Sequence, residues 1–129
     1  MHMLHHLSIG VADLARSIAF YDAILTPLGY VRVWADSTAA GYGPPGGGDK
    51  LALKHRPRGN IVPGDGHHIA FSAPDRDSVA SFHRAALAQG GTDLGGGPRL
   101  HPEYGPDYFA AYVLDPDGHR LEAVIIGPS

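Results

Sequence analysis

Gly66-His67-His68-Ile69-Ala70-Phe71-Ser72 is the stretch from which the rest of the chain can be read. As a strand it alternates between two faces, with His67, Ile69 and Phe71 on one and His68, Ala70 and Ser72 on the other. The first face is apolar enough to lie under a helix. The second, small residues and one imidazole, suits a cavity wall. The same pattern stands at the N-terminus in His5-His6-Leu7-Ser8-Ile9-Gly10-Val11, where His6, Ser8 and Gly10 face away from Leu7, Ile9 and Val11. At one constant offset Asp13 then matches Asp75, Phe20 matches Phe82, Leu25 matches Leu87 and Gly29 matches Gly91. A fixed-period self-match describes architecture, so one βα-containing unit is expected twice.

Asp13 can cap a helix over about Leu14 to Leu25, with Leu14, Ile18, Tyr21 and Leu25 as its apolar stripe. In the second copy the helix starts near Asp75 or Asp77, with Val79, Phe82, Ala86 and Leu87 inward. Strands are read at Tyr30–Trp34, Ala39–Gly43 (the weaker candidate), Lys50–His55, Tyr108–Leu114 and Arg120–Ile126. The last two flank Asp115-Pro116-Asp117-Gly118, a strong hairpin signal. Each copy approximates β-α-β-β-β. The expected fold class is α+β, two such modules giving a mixed sheet with helices on its outer face. One domain is expected over residues 1–129: module 1 to about 56, a linker over 57–65 and module 2 over 66–129.

The formal charge of −3 offers no basic surface for nucleic acid and no polybasic membrane patch. The absence of cysteine removes disulfides, thiolate ligands and cysteine nucleophiles. With no signal-like segment and no run of membrane-span length, a soluble cytoplasmic protein is expected. Nine histidines raise the prior for a metal or proton-transfer site.

In the last strand Glu122 lies among apolar residues and shares a face with Arg120 and Val124. A buried carboxylate needs a partner, and two imidazoles holding a divalent cation would supply one. If the copies pack about a pseudo-two-fold, His6 and His68 become equivalents. The position equivalent to Glu122 falls near Ala52, which cannot bind metal. The expected metal ligands are therefore His6, His68 and Glu122, one site per chain with open positions, as a catalytic ion needs. Zinc, iron, manganese, nickel and cobalt all accept such a donor set. Arg99, beside glycines in a rim loop, could pair with an anionic substrate. Tyr108, like Tyr104, could donate a hydrogen bond into the cavity; Tyr42 and Lys54 are lesser candidates. Glu122, Tyr108 and Arg99 make up the expected catalytic set. His5 and His67 are read as surface or helix-facing, and His83, His101 and His119 as solvent-exposed.

Three segments carry a family resemblance: His6-Leu7-Ser8-Ile9-Gly10-Val11-Ala12-Asp13-Leu14 with Phe20-Tyr21, His68-Ile69-Ala70-Phe71, and Asp115-Pro116-Asp117-Gly118-His119-Arg120-Leu121-Glu122. Through them the chain resembles the vicinal oxygen chelate superfamily of glyoxalase I, bleomycin resistance proteins, fosfomycin-modifying thiol transferases and extradiol dioxygenases. The resemblance implies paired βαβββ modules in a U-shaped sheet around a metal, and a homodimer with sites near or across its interface. The superfamily's metal positions map onto His6, His68 and Glu122, and a fourth, filled in glyoxalase I, falls near Ala52. The implied function is divalent-metal-dependent lyase or isomerase chemistry, or thiol transfer, on a small oxygen-chelating substrate. The alternative is a metal-free small-molecule binding protein.

Overall fold

The computed structural model describes residues 3–61 and 64–127. Asp13 and Asp75 adopt extended backbone just ahead of α1 (Leu14–Leu25) and α2 (Arg76–Ala88). Each carboxylate accepts from a backbone amide in the first turn, of Arg16 at 3.1 Å and Ser78 at 2.7 Å. These bonds satisfy amides that a helix start leaves without partners. α1 buries Leu14, Ser17, Phe20, Tyr21, Ile24 and Leu25, and α2 buries Val79, Phe82 and Ala86. Such three- and four-residue spacings keep one stripe facing the interior. Leu87, expected inward, is 43% exposed because one residue beyond Ala86 the stripe has turned away. α1 runs into a single 3-10 turn, Thr26–Leu28, closed by Gly29 at φ 92°, a conformation that favours glycine.

Among the described residues the strands form two mixed sheets. The first contains β1 (Leu7–Val11), β2 (Val31–Ala35), β3 (Ala39–Gly43) and β4 (Leu51–His55), in the order β1-β4-β3-β2. The second contains β5 (Ile69–Ser72), β6 (Thr92–Asp93), β8 (Tyr108–Leu114) and β9 (Arg120–Ile126), in the order β5-β9-β8-β6, with β7 (Arg99–Leu100) also on β8. The first and last strands of each half run parallel, and the other pairings are antiparallel. Thus β1 and β5 are not sheet neighbours; each edges its own sheet.

The two halves share one hydrophobic cluster, in which Ile9, Phe20, Ile24 and Leu53 join Phe82, Val113 and Leu121. α1 packs on α2. Close backbone approach explains two glycines on the other face of the first sheet. A Cβ on Gly41 would collide with Nε1 of Trp34, whose indole covers that strand. A Cβ on Gly10 would meet Ile61 at 2.9 Å, because the linker crosses β1 there.

The hairpin turn between β8 and β9 reaches into the first half. The Tyr21 hydroxyl donates to Asp115 Oδ2 at 2.6 Å, and Arg16 pairs with Asp117 at 2.8 Å. Burial first, and then the Asp115 charge, raise the Tyr21 hydroxyl well above its ordinary pKa, so it stays a donor. His119, expected in solvent, is 1% exposed, with Nε2 2.7 Å from the Gly10 carbonyl. No single-sequence pattern points to that contact, since the acceptor is backbone.

Candidate active site

β9 carries Glu122 at its centre, where the side chain is 1% exposed. The carboxylate is partnered on both oxygens. Oε1 lies 3.0 Å from His68 Nε2, and Oε2 accepts from the Tyr108 hydroxyl at 2.5 Å. Tyr112, the direct cross-strand partner of Glu122, lines the same cavity beside them. Burial, and then the bond to Glu122 and its charge, push the Tyr108 hydroxyl up to about 12; burial and the Glu122 charge raise Tyr112 as well. Both phenols therefore remain protonated donors at neutral pH.

This cluster floors a cavity of about 480 Å³ in the second half of the chain. Arg99, Tyr104 and Tyr108 line it, as do His67 and Arg120. His67 was expected on the opposite face from His68. Alternation does not govern it, because the strand begins only at Ile69, after Gly66 at φ 87°. Within the strand itself the reading holds: Ile69 is buried and Ala70 and Ser72 are exposed.

His101, also expected in solvent, is 3% exposed in the cavity wall. Its ring stacks on Tyr104 and meets Tyr112 edge-on with centroids 5.2 Å apart. Its Nδ1 lies 3.5 Å from Glu103, and its Nε2 is buried with no hydrogen-bond partner among the described residues. Glu103 is held below the usual carboxylate range by its own backbone amide and by His101. His83 likewise is largely covered, with Nε2 2.8 Å from Asp93. Tyr42 lies outside this cavity, 2% exposed, with its hydroxyl on Asp22 at 2.8 Å. Lys54 does not line it.

Of the three expected metal ligands, His68 and Glu122 are adjacent. His6 precedes β1 in the other sheet, exposed, with Nδ1 2.8 Å from the Nδ1 of His5. Among the described residues no three His, Cys, Asp or Glu side chains of one chain form a metal-holding group. The sheet registers relate the halves residue by residue: Ser8 stands opposite Ala52 in the first, Ala70 opposite Glu122 in the second.

A family model described as Glyoxalase/Bleomycin resistance protein/Dioxygenase superfamily matches residues 3–123. The chain belongs to this superfamily. Within it, the chain is similar to a glyoxalase/bleomycin resistance protein from Albidiferax ferrireducens T118, at 32% identity and a TM-score of 0.80 over 95% of this chain and 98% of that one. A glyoxylase/bleomycin resistance protein/dioxygenase domain from Frankia sp. EAN1pec shares the superfamily fold at 21% identity and a TM-score of 0.71, covering 100% and 95%. So does the fosfomycin resistance protein FosX from Listeria monocytogenes, at 18% and 0.68, covering 96% and 93%. No curated protein matches the chain. Among the described residues of this superfamily member, no helix is long and apolar enough to cross a membrane.

Sequence reasoning missed Tyr112 and His101. The first had a signal: the turn pairs Leu114 with Arg120, and two steps outward along both strands put Tyr112 opposite Glu122. His101 had none, since a loop residue between Leu100 and Pro102 carries no periodicity.

Proposed function

We propose that the chain is a homodimeric, divalent-metal-dependent enzyme acting on a small substrate through neighbouring oxygens, by glyoxalase-like lyase or isomerase chemistry or by thiol transfer. The observation that carries this reading is the His68–Glu122 pair: an imidazole nitrogen and a carboxylate oxygen 3.0 Å apart at the floor of a cavity. One imidazole and one carboxylate are donors that a zinc, iron, manganese, nickel or cobalt ion accepts. With no third donor beside them among the described residues of the same chain, His6 of a second copy is the proposed remaining ligand. Such an ion, when bound, supplies Lewis acidity toward a developing oxyanion.

The chain's own residues do the rest. Tyr108 keeps its proton on the hydroxyl and donates a hydrogen bond to Glu122 Oε2, fixing the carboxylate and leaving Oε1 toward His68. This is the outer-shell support that ligating carboxylates need. Arg99 at the cavity rim offers a guanidinium to an anionic substrate group.

Metal analysis of protein purified without added metal tests the reading. We expect stoichiometric metal in the parent and its loss in His6→Ala, His68→Ala and Glu122→Gln. Mixing His6→Ala with Glu122→Gln chains should restore metal in mixed dimers, where one site keeps all three ligands. Near-zero metal in the parent, unchanged in the variants, would leave the metal-free binding protein instead.

A further inference from the structure

The aromatic rings beside the His68–Glu122 pair carry a second chemistry. Those of His101, Tyr104, Tyr108 and Tyr112 form one cluster, with the Tyr104 and Tyr108 centroids 5.3 Å apart and inclined at 56°, His101 within 24° of parallel to Tyr104, and His101 edge-on to Tyr108 and Tyr112. Packing of this kind normally hides aromatic surface, yet Tyr104 is 63% exposed while lining the cavity. A ring backed by other rings is a rigid platform, and it binds a planar partner with little loss of side-chain freedom.

Arg99 stands at the same cavity. Its Nε donates to the Gly95 carbonyl and its Nη1 to the Leu100 carbonyl, both at 3.0 Å, so the guanidinium is anchored on its backbone side. Nη2 makes no hydrogen bond among the described residues. Among the other charged residues at the cavity, Glu122 is bonded to His68 and Tyr108, Arg120 lies 3.3 Å from the exposed Asp65, and Glu103 lies 3.5 Å from His101 and within reach of the Arg99 charge. Nη2 of Arg99, a residue that lines the cavity, is therefore open to a ligand oxygen.

We infer that the cavity selects a planar aromatic anion, its ring laid on Tyr104 and its charged oxygen on Nη2 of Arg99. The inference rests on reading this cavity as the substrate site, and it names the class of substrate. It does not depend on the ion, because Tyr104 and Arg99 are not among the proposed ligands.

The probes are benzoate, cyclohexanecarboxylate and benzamide: a flat anion, a puckered anion and a flat neutral. Titration calorimetry on the full chain as purified should give benzoate the tightest binding, by roughly three- to tenfold over each of the others. Tyr104→Leu should collapse the preference over cyclohexanecarboxylate, and Arg99→Gln the preference over benzamide. Neither residue is buried, so neither variant threatens folding. Both preferences persisting in Glu122→Gln, with metal lost, would support this inference apart from the ion. Absent benzoate binding, equal affinities in the parent, or a preference that its own variant leaves untouched would overturn it.

Discussion

The two halves of this chain are the same framework with different loads. In the first sheet the open face holds Ser8, Gly10, Gly41 and Ala52, and Trp34 and the linker cover part of it. In the second, Glu122 stands where Ala52 does, and His68, Tyr108 and Tyr112 gather round it. The helices agree more closely: Phe20 and Phe82, matched positions, are both fully buried, although Leu25 is buried where its match Leu87 is 43% exposed. What the comparison teaches is where the constraint lies. Packing fixes the central aromatic position of both helices alike, and the sheet face turned away from the helices carries a carboxylate at this register in only one half.

The largest expected effect breaks the symmetry of the inner faces. Phe20→Ala and Phe82→Ala should each cost about 3–5 kcal/mol, the usual penalty for emptying a buried aromatic site. Because one cluster spans both halves, each variant should lower a single cooperative transition. Two separated transitions in denaturant, one per half, would contradict a shared core.

A smaller effect comes from exchanging the loads. Ala52→Glu puts a carboxylate at a position where Ala52 is only 2% exposed and should destabilise by about 2–4 kcal/mol. Glu122→Ala strips acceptors from Tyr108 and should cost less, about 1–3 kcal/mol. Thermal denaturation of the two variants side by side checks the ranking, and the reverse order would mean that Ala52 has room and partners to spare.

The smallest distinguishes the helix caps. Bonds from the Ser78 hydroxyl and amide hold the Asp75 carboxyl below its ordinary pKa of 3.8. A carboxyl lowered on folding stabilises above its unfolded value and loses that contribution as pH falls through the folded one. Asp75→Ala should therefore lower the melting midpoint at neutral pH, with the gap to the parent closing in acid. A gap independent of pH would assign the cap's benefit to something other than its charge.

Much of this architecture was legible in the residues because it obeys a period. α1 over Leu14–Leu25, β3 over Ala39–Gly43, β8 over Tyr108–Leu114 and β9 over Arg120–Ile126 all have the bounds that alternation, caps and turns indicate. Alternation also selected Glu122 as a buried carboxylate, and β5 shows the expected two faces from Ile69 onward. Legibility stopped where the backbone leaves the period. Asp65 and Gly66 form a turn and His67 and His68 reach β5 outside any strand, so the face of His67 could not be counted off. His101 and His119 are buried by loops that fold onto distant partners, a cluster of tyrosine rings in one case and the Gly10 carbonyl in the other. Polar residues beside prolines and glycines read as solvated unless the fold that covers them is known. His6 and His68 share a sequence pattern but not a cavity within the chain, since parity fixes a face and says nothing of which sheet the face belongs to.

The Asp115–Gly118 turn closes its own hairpin, yet with His119 just beyond it the turn holds on to the opposite half through Tyr21, Arg16, the Ala12 amide and the Gly10 carbonyl. It works as a latch pin across the seam. Should two molecules ever trade halves, all four fastenings would have to open together and be remade on the incoming chain. That barrier slows any exchange of halves between chains.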